Sequence, residues 1–501
     1  MATKRNSSYL EGAAILAGTI VITKIIGFLY KIPLYNLLGD EGSGLFQSTY
    51  TVYNLLLTIS TAGIPVALSR LISAARATGR YKQVRKYFSL SLASFSVIGA
   101  ICMIIMLLFP EQLASFIGTP EIKLGLIVLA PAVLFSCIIS VYRGYAQGFS
   151  DMLPTSISQI IEVASKLVFG IAIAWILTKT GAKISTISAG AIAGSTIGLG
   201  ISIPLLVLYK NRVSTKVSSR SELDPALSSS ETLKLIYKIC IPITLSSSIL
   251  NIISLIDTKL IYSRLQAGAG LSYYQSKILY GVYGKAQTLF NIPSAFIVPI
   301  TVAVVPAISA YIARHDREGA RSTMESSLKV TTLFALPAGV GLCVLSYPIF
   351  NVLYPGSNEN GPALLAVLGI ASFFVCIQLI TNAFLQASGY EKIALLALPL
   401  GGIVKIIVNW ILVGNENINI MGAPVGTLCC YIAITAFNIY FIKNTMRQPP
   451  RFLKTLLKPI ICTAIMAVAA LGTYSVLGNV VGLSQSKIGM MAAMVVAIIV
   501  A

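Results

Sequence analysis

The sequence predicts an all-α, polytopic membrane protein of about 14 transmembrane helices, built as two similar six-helix lobes and a C-terminal helix pair. Apolar runs of about 20 residues recur along the whole chain, and each is long enough to cross a bilayer core of about 30 Å. Of the residues, 56% are hydrophobic and only 11% are charged, too few charges for a soluble protein of this size. In addition, residues of the first half recur in the second half at a nearly constant offset.

The spans are predicted as apolar runs between polar segments. They cover residues 12–36, 43–69, 86–109, 123–147, 154–178, 185–209, 235–261, 278–311, 324–346, 363–387, 391–413, 421–442, 454–477 and 485–501. The Ser-rich, charged segment 210–234 is expected to be a cytoplasmic linker. It separates a predicted N-terminal lobe, 1–209, from a C-terminal lobe, 235–447, which the helix pair 448–501 follows.

Basic residues predict the orientation of the chain. The net charge is +20, from 37 Lys+Arg against 17 Asp+Glu. Most of the excess lies in the loops after spans two, six, eight and twelve, among them Arg85, Lys210, Arg317 and Arg447. By the positive-inside rule, these loops and both termini are expected in the cytoplasm. No basic stripe or RNA-binding aromatic motif accompanies this charge, so a nucleic-acid partner is not expected.

The internal repeat predicts how the lobes are related. Matching pairs include Gly44 with Gly281, Asn54 with Asn291, Pro65 with Pro306, Gln147 with Gln386, and Lys166 with Lys405. An offset of six spans is even, so both lobes insert in the same direction and a pseudo-two-fold axis along the membrane normal is expected. Such folds place the substrate site between the halves near mid-membrane.

Charged residues inside the spans are the strongest indication of a functional site, because burying an ammonium group in a bilayer is expensive. Lys24, Lys285 and Lys405 lie in spans of both lobes and have no partner in their own helix. Glu162 and Lys166 are one helical turn apart and are expected to pair. A cavity shared by these lysines would be cationic and would suit an anionic substrate. Alternatively, each lysine snorkels or pairs locally in a structural role.

Further candidate site residues lie in or near the ends of the predicted spans. Polar contacts to substrate are predicted for Asn54, Gln147, Asn291 and Gln386. Gate or ion-site candidates near span ends are Lys31, Asp257, Lys259 and Arg264. For Asp257, binding of a coupling cation and a plain interfacial ion pair are both open. Gly190, Gly194 and Gly198, at four-residue spacing, predict close helix packing.

Neither a metal site nor a cofactor is expected. The eight cysteines lie in apolar segments without CxxC spacing, and the single histidine, His315, lies in a basic loop. No nucleophile elbow, zinc motif or dinucleotide-binding loop is present, and Gly281–Lys285 lacks the spacing of a phosphate loop. A membrane enzyme, such as a glycan polymerase, would need acidic metal ligands or a sizeable catalytic loop. The sequence therefore favours a protein that is not an enzyme.

Several stretches together resemble the multidrug/oligosaccharidyl-lipid/polysaccharide exporter superfamily. They are Thr23–Phe28 in span one, Tyr53–Leu55 and Gly63–Arg70 in span two, and Asn291–Pro293 with Val305–Ser309 in span eight. The resemblance covers nearly the whole chain. It is nearest to the branch of stage V sporulation protein B, which is related to MurJ-type lipid II flippases.

The resemblance implies a V-shaped pair of lobes in a bacterial cell membrane. It also implies flipping of undecaprenyl-pyrophosphate-linked sugars to the outer leaflet by alternating access, driven by membrane potential or by a sodium or proton gradient. In MurJ-type proteins cationic residues of spans one, two and eight line the cavity; the matching positions here are Lys24, Tyr30, Leu57 and Thr288, of which only the first is basic. The last two helices would form an apolar groove for the lipid tail.

The resemblance leaves an alternative within the same superfamily, a cation-coupled drug antiporter. That chemistry needs a buried carboxylate to exchange a proton or sodium ion for a cationic drug. Span one has no central acid, and Glu162 is matched by Lys166. We therefore predict a flippase whose headgroup contacts are Lys24, Lys166, Lys285 and Lys405.

Overall fold

The computed structural model describes residues 2–218, 226–477 and 487–500, with side chains omitted at 2–14, 17, 213–218 and 487. Within these ranges every regular element is helical. Residues 219–225 of the predicted linker, and residues 485, 486 and 501 of the predicted last span, lie outside the described residues.

Seventeen α-helices cover the described residues. They are α1 Ala2–Thr61, α2 Ile64–Ala77, α3 Tyr81–Leu108, α4 Pro110–Ile117, α5 Lys123–Gly148, α6 Leu153–Ser165, α7 Ile171–Lys179, α8 Ile184–Ser218, α9 Ser229–Ala267, α10 Tyr273–Ala313, α11 Arg317–Val344, α12 Ser346–Leu353, α13 Asn360–Ala387, α14 Glu391–Leu412, α15 Gly422–Thr445, α16 Phe452–Ser475 and α17 Lys487–Val500. A π-helical turn, Lys166–Gly170, joins α6 to α7, and 3-10 turns at Pro120–Ile122 and Asn419–Met421 precede α5 and α15.

The described helices confirm the predicted polytopic, all-α fold. Twelve helical stretches are long and apolar enough to cross a membrane, and Ile488–Val500 is a shorter apolar helix. Helix α1 alone has 60 residues, about 90 Å of helix. Its backbone leaves helical geometry at Gly39, where φ is 66°, a left-handed conformation that glycine adopts without steric penalty. The half of α1 before Gly39 therefore carries the first predicted span, and the half after Gly39 carries most of the second, which ends in α2. Each remaining predicted span overlaps one or more described helices.

The chain forms two compact units. Unit 1 comprises residues 1–38 and 45–255, and unit 2 comprises residues 39–44 and 256–501. Their boundary falls inside α9 and not in the predicted linker. The compact units are defined by contacts and the predicted lobes by an internal repeat, so the limits of the lobes remain a prediction.

Each unit has its own apolar core. In unit 1, Leu68 and Ile72 of α2 pack with Phe88 and Phe95 of α3 and with Tyr145 of α5. In unit 2, a cluster of buried side chains joins α10, α11, α13 and α15, and includes Ile308, Leu328, Ile380, Phe384 and Ile442. Each core fixes the helices that contribute to it, because close-packed interiors tolerate little displacement.

Candidate functional site

The mid-span carboxylate of unit 1 binds two cations. Glu162 accepts a hydrogen bond from Lys166 Nζ at 3.0 Å and lies 3.4 Å from Nη2 of Arg143. The Nε of Arg143 also donates to Ser158 Oγ at 2.9 Å. The predicted pairing of Glu162 with Lys166 is thus confirmed, and Arg143 is a partner that sequence reasoning missed. One carboxylate between two cations leaves this group with a net positive charge.

Close helix packing positions this group. Lys166 begins the π-helical turn that ends at Gly170, an irregularity that often marks functional positions in helices. Helix α8 passes so near that a Cβ on Gly194 would lie 2.5 Å from the backbone nitrogen of Gly170, and one on Gly198 would lie 2.9 Å from the carbonyl oxygen of Glu162. The glycine spacing on α8 therefore predicted a real helix contact.

Two further lysines add positive charge to unit 1. Lys24 is exposed and Lys31 is partly buried, and in the described part of the chain neither forms an ion pair. The Nζ of Lys31 lies 5.9 Å from the Tyr35 ring centroid, and the ammonium groups of Lys31 and Lys166 repel each other. Of the four cations Lys24, Lys31, Arg143 and Lys166, only Arg143 and Lys166 contact the carboxylate of Glu162. We call these five residues the unit 1 cation cluster.

Tyrosines of α1 lie beside the unit 1 cation cluster. Tyr50 and Ser195 form a short hydroxyl–hydroxyl hydrogen bond, and buried Tyr30 donates to the carbonyl of Ala191 at 3.3 Å. Tyr53, on the same helix, is also buried. The sequence analysis named Tyr30 and Tyr53 only through the family resemblance and missed Tyr50, because aromatic residues in an apolar run carry no distinguishing pattern.

A buried ion pair joins α9 to α14 in unit 2. The Nζ of Lys405 lies 2.7 Å from Oδ2 of Asp257, and Asn409 Nδ2 donates to Oδ1 of the same carboxylate at 2.5 Å. Asp257 is 4% exposed and Asn409 is fully buried. Of the two alternatives for Asp257, the structure contains the ion pair. It is deeply buried and not interfacial, and its partner comes from another helix.

A second carboxylate pairs with a lysine near the start of α10. Asp40 lies 2.6 Å from Nζ of Lys285 and accepts hydrogen bonds from Ser357 Oγ at 2.5 Å and from the backbone of Asn358 at 2.9 Å. The neighbouring Glu41 lies 2.7 Å from Nζ of Lys277. Sequence reasoning missed Asp40, because it is 245 residues from Lys285 in the chain.

These pairs correct one expectation from the sequence. Lys285 and Lys405 were expected to add uncompensated positive charge, and that expectation is wrong, because Asp40 and Asp257 neutralise them. Among the described mid-span residues, the excess of cations belongs to unit 1. Whether Lys285 and Lys405 contact a substrate headgroup remains a prediction.

The four amide residues predicted to contact substrate are divided between the two units. Asn54 and Gln147 belong to unit 1, and Asn291 and Gln386 to unit 2. In the described ranges none of these four amides bonds to a charged group named above; Gln147 donates to Thr155 and Asn291 to the carbonyl of Gln287.

The remaining gate candidates lie on α9. The side chain of Lys259 is exposed. The guanidinium carbon of Arg264 lies 4.5 Å from the Trp410 ring centroid, and its Nε donates to the carbonyl of Trp410 at 3.0 Å.

An apolar cavity of about 370 Å³ lies in unit 2 among α10, α11, α12, α16 and α17. Pro293, Pro337, Met466, Ala470 and Ile498 are among the residues that line it. Among the described residues, no three His, Cys, Asp or Glu side chains come together to hold a metal ion.

A family model described as polysaccharide biosynthesis protein matches residues 9–312. Three proteins of Bacillus subtilis are similar over most of the chain. The uncharacterized membrane protein YabM is 27% identical, over 93% of this chain and 85% of its own length. Stage V sporulation protein B is 26% identical, over 88% and 84%, and the lipid II flippase MurJ is 23% identical, over 98% and 93%.

Two solved structures share the fold. The lipid II flippase MurJ in an inward closed conformation superimposes with a TM-score of 0.70 and 18% identity, covering 97% of each chain. An inward-facing multidrug resistance transporter of the MATE family has a TM-score of 0.67 and 15% identity, over 90% of this chain and 98% of the other. In both cases the similarity is in the arrangement of the helices.

Proposed function

We infer a function from the family to which the chain belongs, the polysaccharide biosynthesis protein family. The chain flips an anionic, undecaprenyl-pyrophosphate-linked saccharide from the inner to the outer leaflet. The chain is a multi-pass membrane transporter of the multidrug/oligosaccharidyl-lipid/polysaccharide exporter superfamily, in the branch of stage V sporulation protein B and MurJ. Substrate, direction and the alternating-access mechanism are the proposed part.

The unit 1 cation cluster is the observation that supports an anionic substrate. Two of its four cations, Arg143 and Lys166, pair with Glu162, whereas Lys24 and Lys31 form no ion pair with a described residue. An uncompensated ammonium group within a bilayer is unfavourable, and a bound pyrophosphate would relieve it. Lysine contributes a point charge to this contact, without the bidentate geometry of arginine.

The apolar cavity of unit 2 supports a lipid-linked substrate. Its lining residues come partly from the last two helices, where the family resemblance implies a groove for the polyprenyl tail. Since lipid tails are as apolar as these side chains, a polyprenyl tail can leave the bilayer for this cavity without an unfavourable transfer.

Reconstitution tests this function. Purified protein is placed in vesicles with lipid II or a related undecaprenyl-pyrophosphate saccharide, and an impermeant reagent measures how much carrier changes leaflet. We expect wild-type protein to move the carrier and the double variant Lys24→Gln, Lys31→Gln to be slower by about tenfold or more, if each charge contributes about 1 kcal/mol. The matched control is Lys329→Gln, which removes an exposed lysine of α11 in unit 2.

Two results would contradict the proposal in different ways. Vesicles in which wild-type protein moves no carrier would refute the flippase function. Equal rates for wild type and the double variant would refute the role of the unit 1 lysines alone. The same vesicles, with a membrane potential, a sodium gradient or a proton gradient imposed singly, identify the energy source.

No specific observation favours the drug antiporter. Its chemistry needs a carboxylate free to exchange cations, whereas Glu162 and Asp257 each hold a cationic partner within their own unit. Transport of ethidium-like cations by the same vesicles would support it.

A further inference from the structure

A cavity of about 470 Å³ lies in unit 1 where the start of α3 and the ends of α5 and α8 meet. Arg85 and Ser89 of α3, Tyr145 of α5 and Lys210 of α8 contribute its polar lining, and Leu92 its apolar lining. The cavity is separate from the unit 1 cation cluster and has no part in the proposed transport step.

The lining combines two cations with an aromatic wall. Lys210 Nζ lies 5.2 Å from the Phe88 ring centroid, and the Phe88 and Tyr145 rings meet edge to face with centroids 5.0 Å apart. No acidic side chain is among the described residues that line the cavity, and neither Arg85 nor Lys210 forms an ion pair with a described residue. Two uncompensated cations next to apolar surface suit an anionic, amphipathic ligand.

The cavity lies where anionic lipid headgroups are expected. Arg85 and Lys210 belong to two of the basic loops that the positive-inside rule places at the cytoplasmic surface. Basic pockets between transmembrane helices on this side bind lipid headgroups, because the inner leaflet carries anionic lipids. The Ser89 and Tyr145 hydroxyls belong to the lining, and hydroxyl groups can donate hydrogen bonds to phosphate oxygens.

The same kind of cavity recurs in unit 2, at the corresponding helix ends. A cavity of about 290 Å³ lies among the start of α11 and the ends of α13 and α15. Arg317, Tyr390 and Arg447 are in its lining. In the internal repeat, α11, α13 and α15 correspond to α3, α5 and α8, and each cavity has two cations and a tyrosine in its lining.

We propose that Arg85 and Lys210 bind the phosphate of an anionic glycerophospholipid of the inner leaflet, with its acyl chains running along the apolar surface that begins at Leu92. The unit 2 cavity, with Arg317 and Arg447, binds a second such lipid. These lipids are bound structural lipids of the transporter and not its transported substrate. An acyl chain on the apolar lining distinguishes this ligand from free phosphate, which would contact only the polar residues.

Native mass spectrometry of the full chain, in detergent and without any carrier lipid, tests this inference. Phosphatidylglycerol is titrated against phosphatidylcholine, which carries no net charge. We expect two tightly bound phosphatidylglycerol molecules on wild type, one on Arg85→Gln, Lys210→Gln, and none when Arg317→Gln and Arg447→Gln are added. At each cavity whose two cations are replaced, the affinity for phosphatidylglycerol should fall by about tenfold or more.

The matched control is Lys454→Gln, Lys458→Gln, which removes two exposed cations of α16 that line neither cavity. It should keep both lipids, and so should Lys210→Arg, which retains the charge. Thermal unfolding of each variant shows that it is folded. Three results would overturn the inference: phosphatidylcholine binding as tightly, the control losing lipid to the same extent, or millimolar inorganic phosphate displacing the lipid. Carrier flipping is not measured, so failure here leaves the proposed function untouched.

Discussion

The ammonium group of Lys405 lies 2.7 Å from Oδ2 of Asp257, and the amide of Asn409 bonds to the other oxygen of the same carboxylate at 2.5 Å. Both Asp257 oxygens are therefore satisfied inside an apolar span. The arrangement joins α9 to α14 and converts two charges that would each be unfavourable in a bilayer into a neutral group. Asp40 does the same for Lys285 near the start of α10.

Removing one member of the Asp257–Lys405 pair should destabilise unit 2. Lys405→Met leaves a buried carboxylate without its cation, which typically lowers the free energy of unfolding by about 3–5 kcal/mol. The measurement is the unfolding temperature of purified protein, with size-exclusion chromatography used to detect how much folded protein remains after heating. The double variant Asp257→Asn, Lys405→Met removes both charges and should regain most of the stability, since replacing a whole buried pair is often nearly neutral. A double variant less stable than Lys405→Met alone would contradict this account.

The contact between residues 39–44 and α10 should be sensitive to one added methyl group. A Cβ on Gly281 would lie 1.8 Å from the carbonyl oxygen of Asp40, so Gly281→Ala must shift the backbone that carries Asp40. We expect a loss of about 1–3 kcal/mol of stability, typical of overpacking. Gly341→Ala on α11 is the control, because nothing lies within 4 Å of its added Cβ. If the two variants unfold at the same temperature, the close approach at Gly281 is not present in the protein.

The positive-inside rule predicts which loops face the cytoplasm. In a variant lacking the eight native cysteines, Asn417→Cys between α14 and α15 should react with an impermeant maleimide on intact cells. His315→Cys between α10 and α11 should react only after the membrane is permeabilised. Both positions are exposed, so the comparison isolates the side of the membrane. The reverse labelling pattern would invert the predicted orientation and would place the two proposed lipid cavities at the outer leaflet.

Local features of the site could be predicted from the sequence. The Glu162–Lys166 pair follows from helical periodicity, since residues four apart share a face, and the glycines of α8 indicate a close helix contact by their spacing alone. The partners of Lys285 and Lys405 could not be predicted in this way. They come from helices distant in the chain, and no local pattern couples Asp40 to a lysine 245 residues away.

The sequence by itself determined the polytopic, all-α membrane architecture, because hydrophobic length is a local property of the chain, and its motifs were enough to indicate the superfamily. Only the tertiary structure decided which intramembrane charges remain uncompensated. Coulomb attraction at 2.6–2.7 Å depends on where helices lie in space, and burial makes it strong. Lys285 and Lys405 of unit 2 are thereby neutralised, while Lys24 and Lys31 of unit 1 form no ion pair with a described residue and supply positive charge for the proposed substrate.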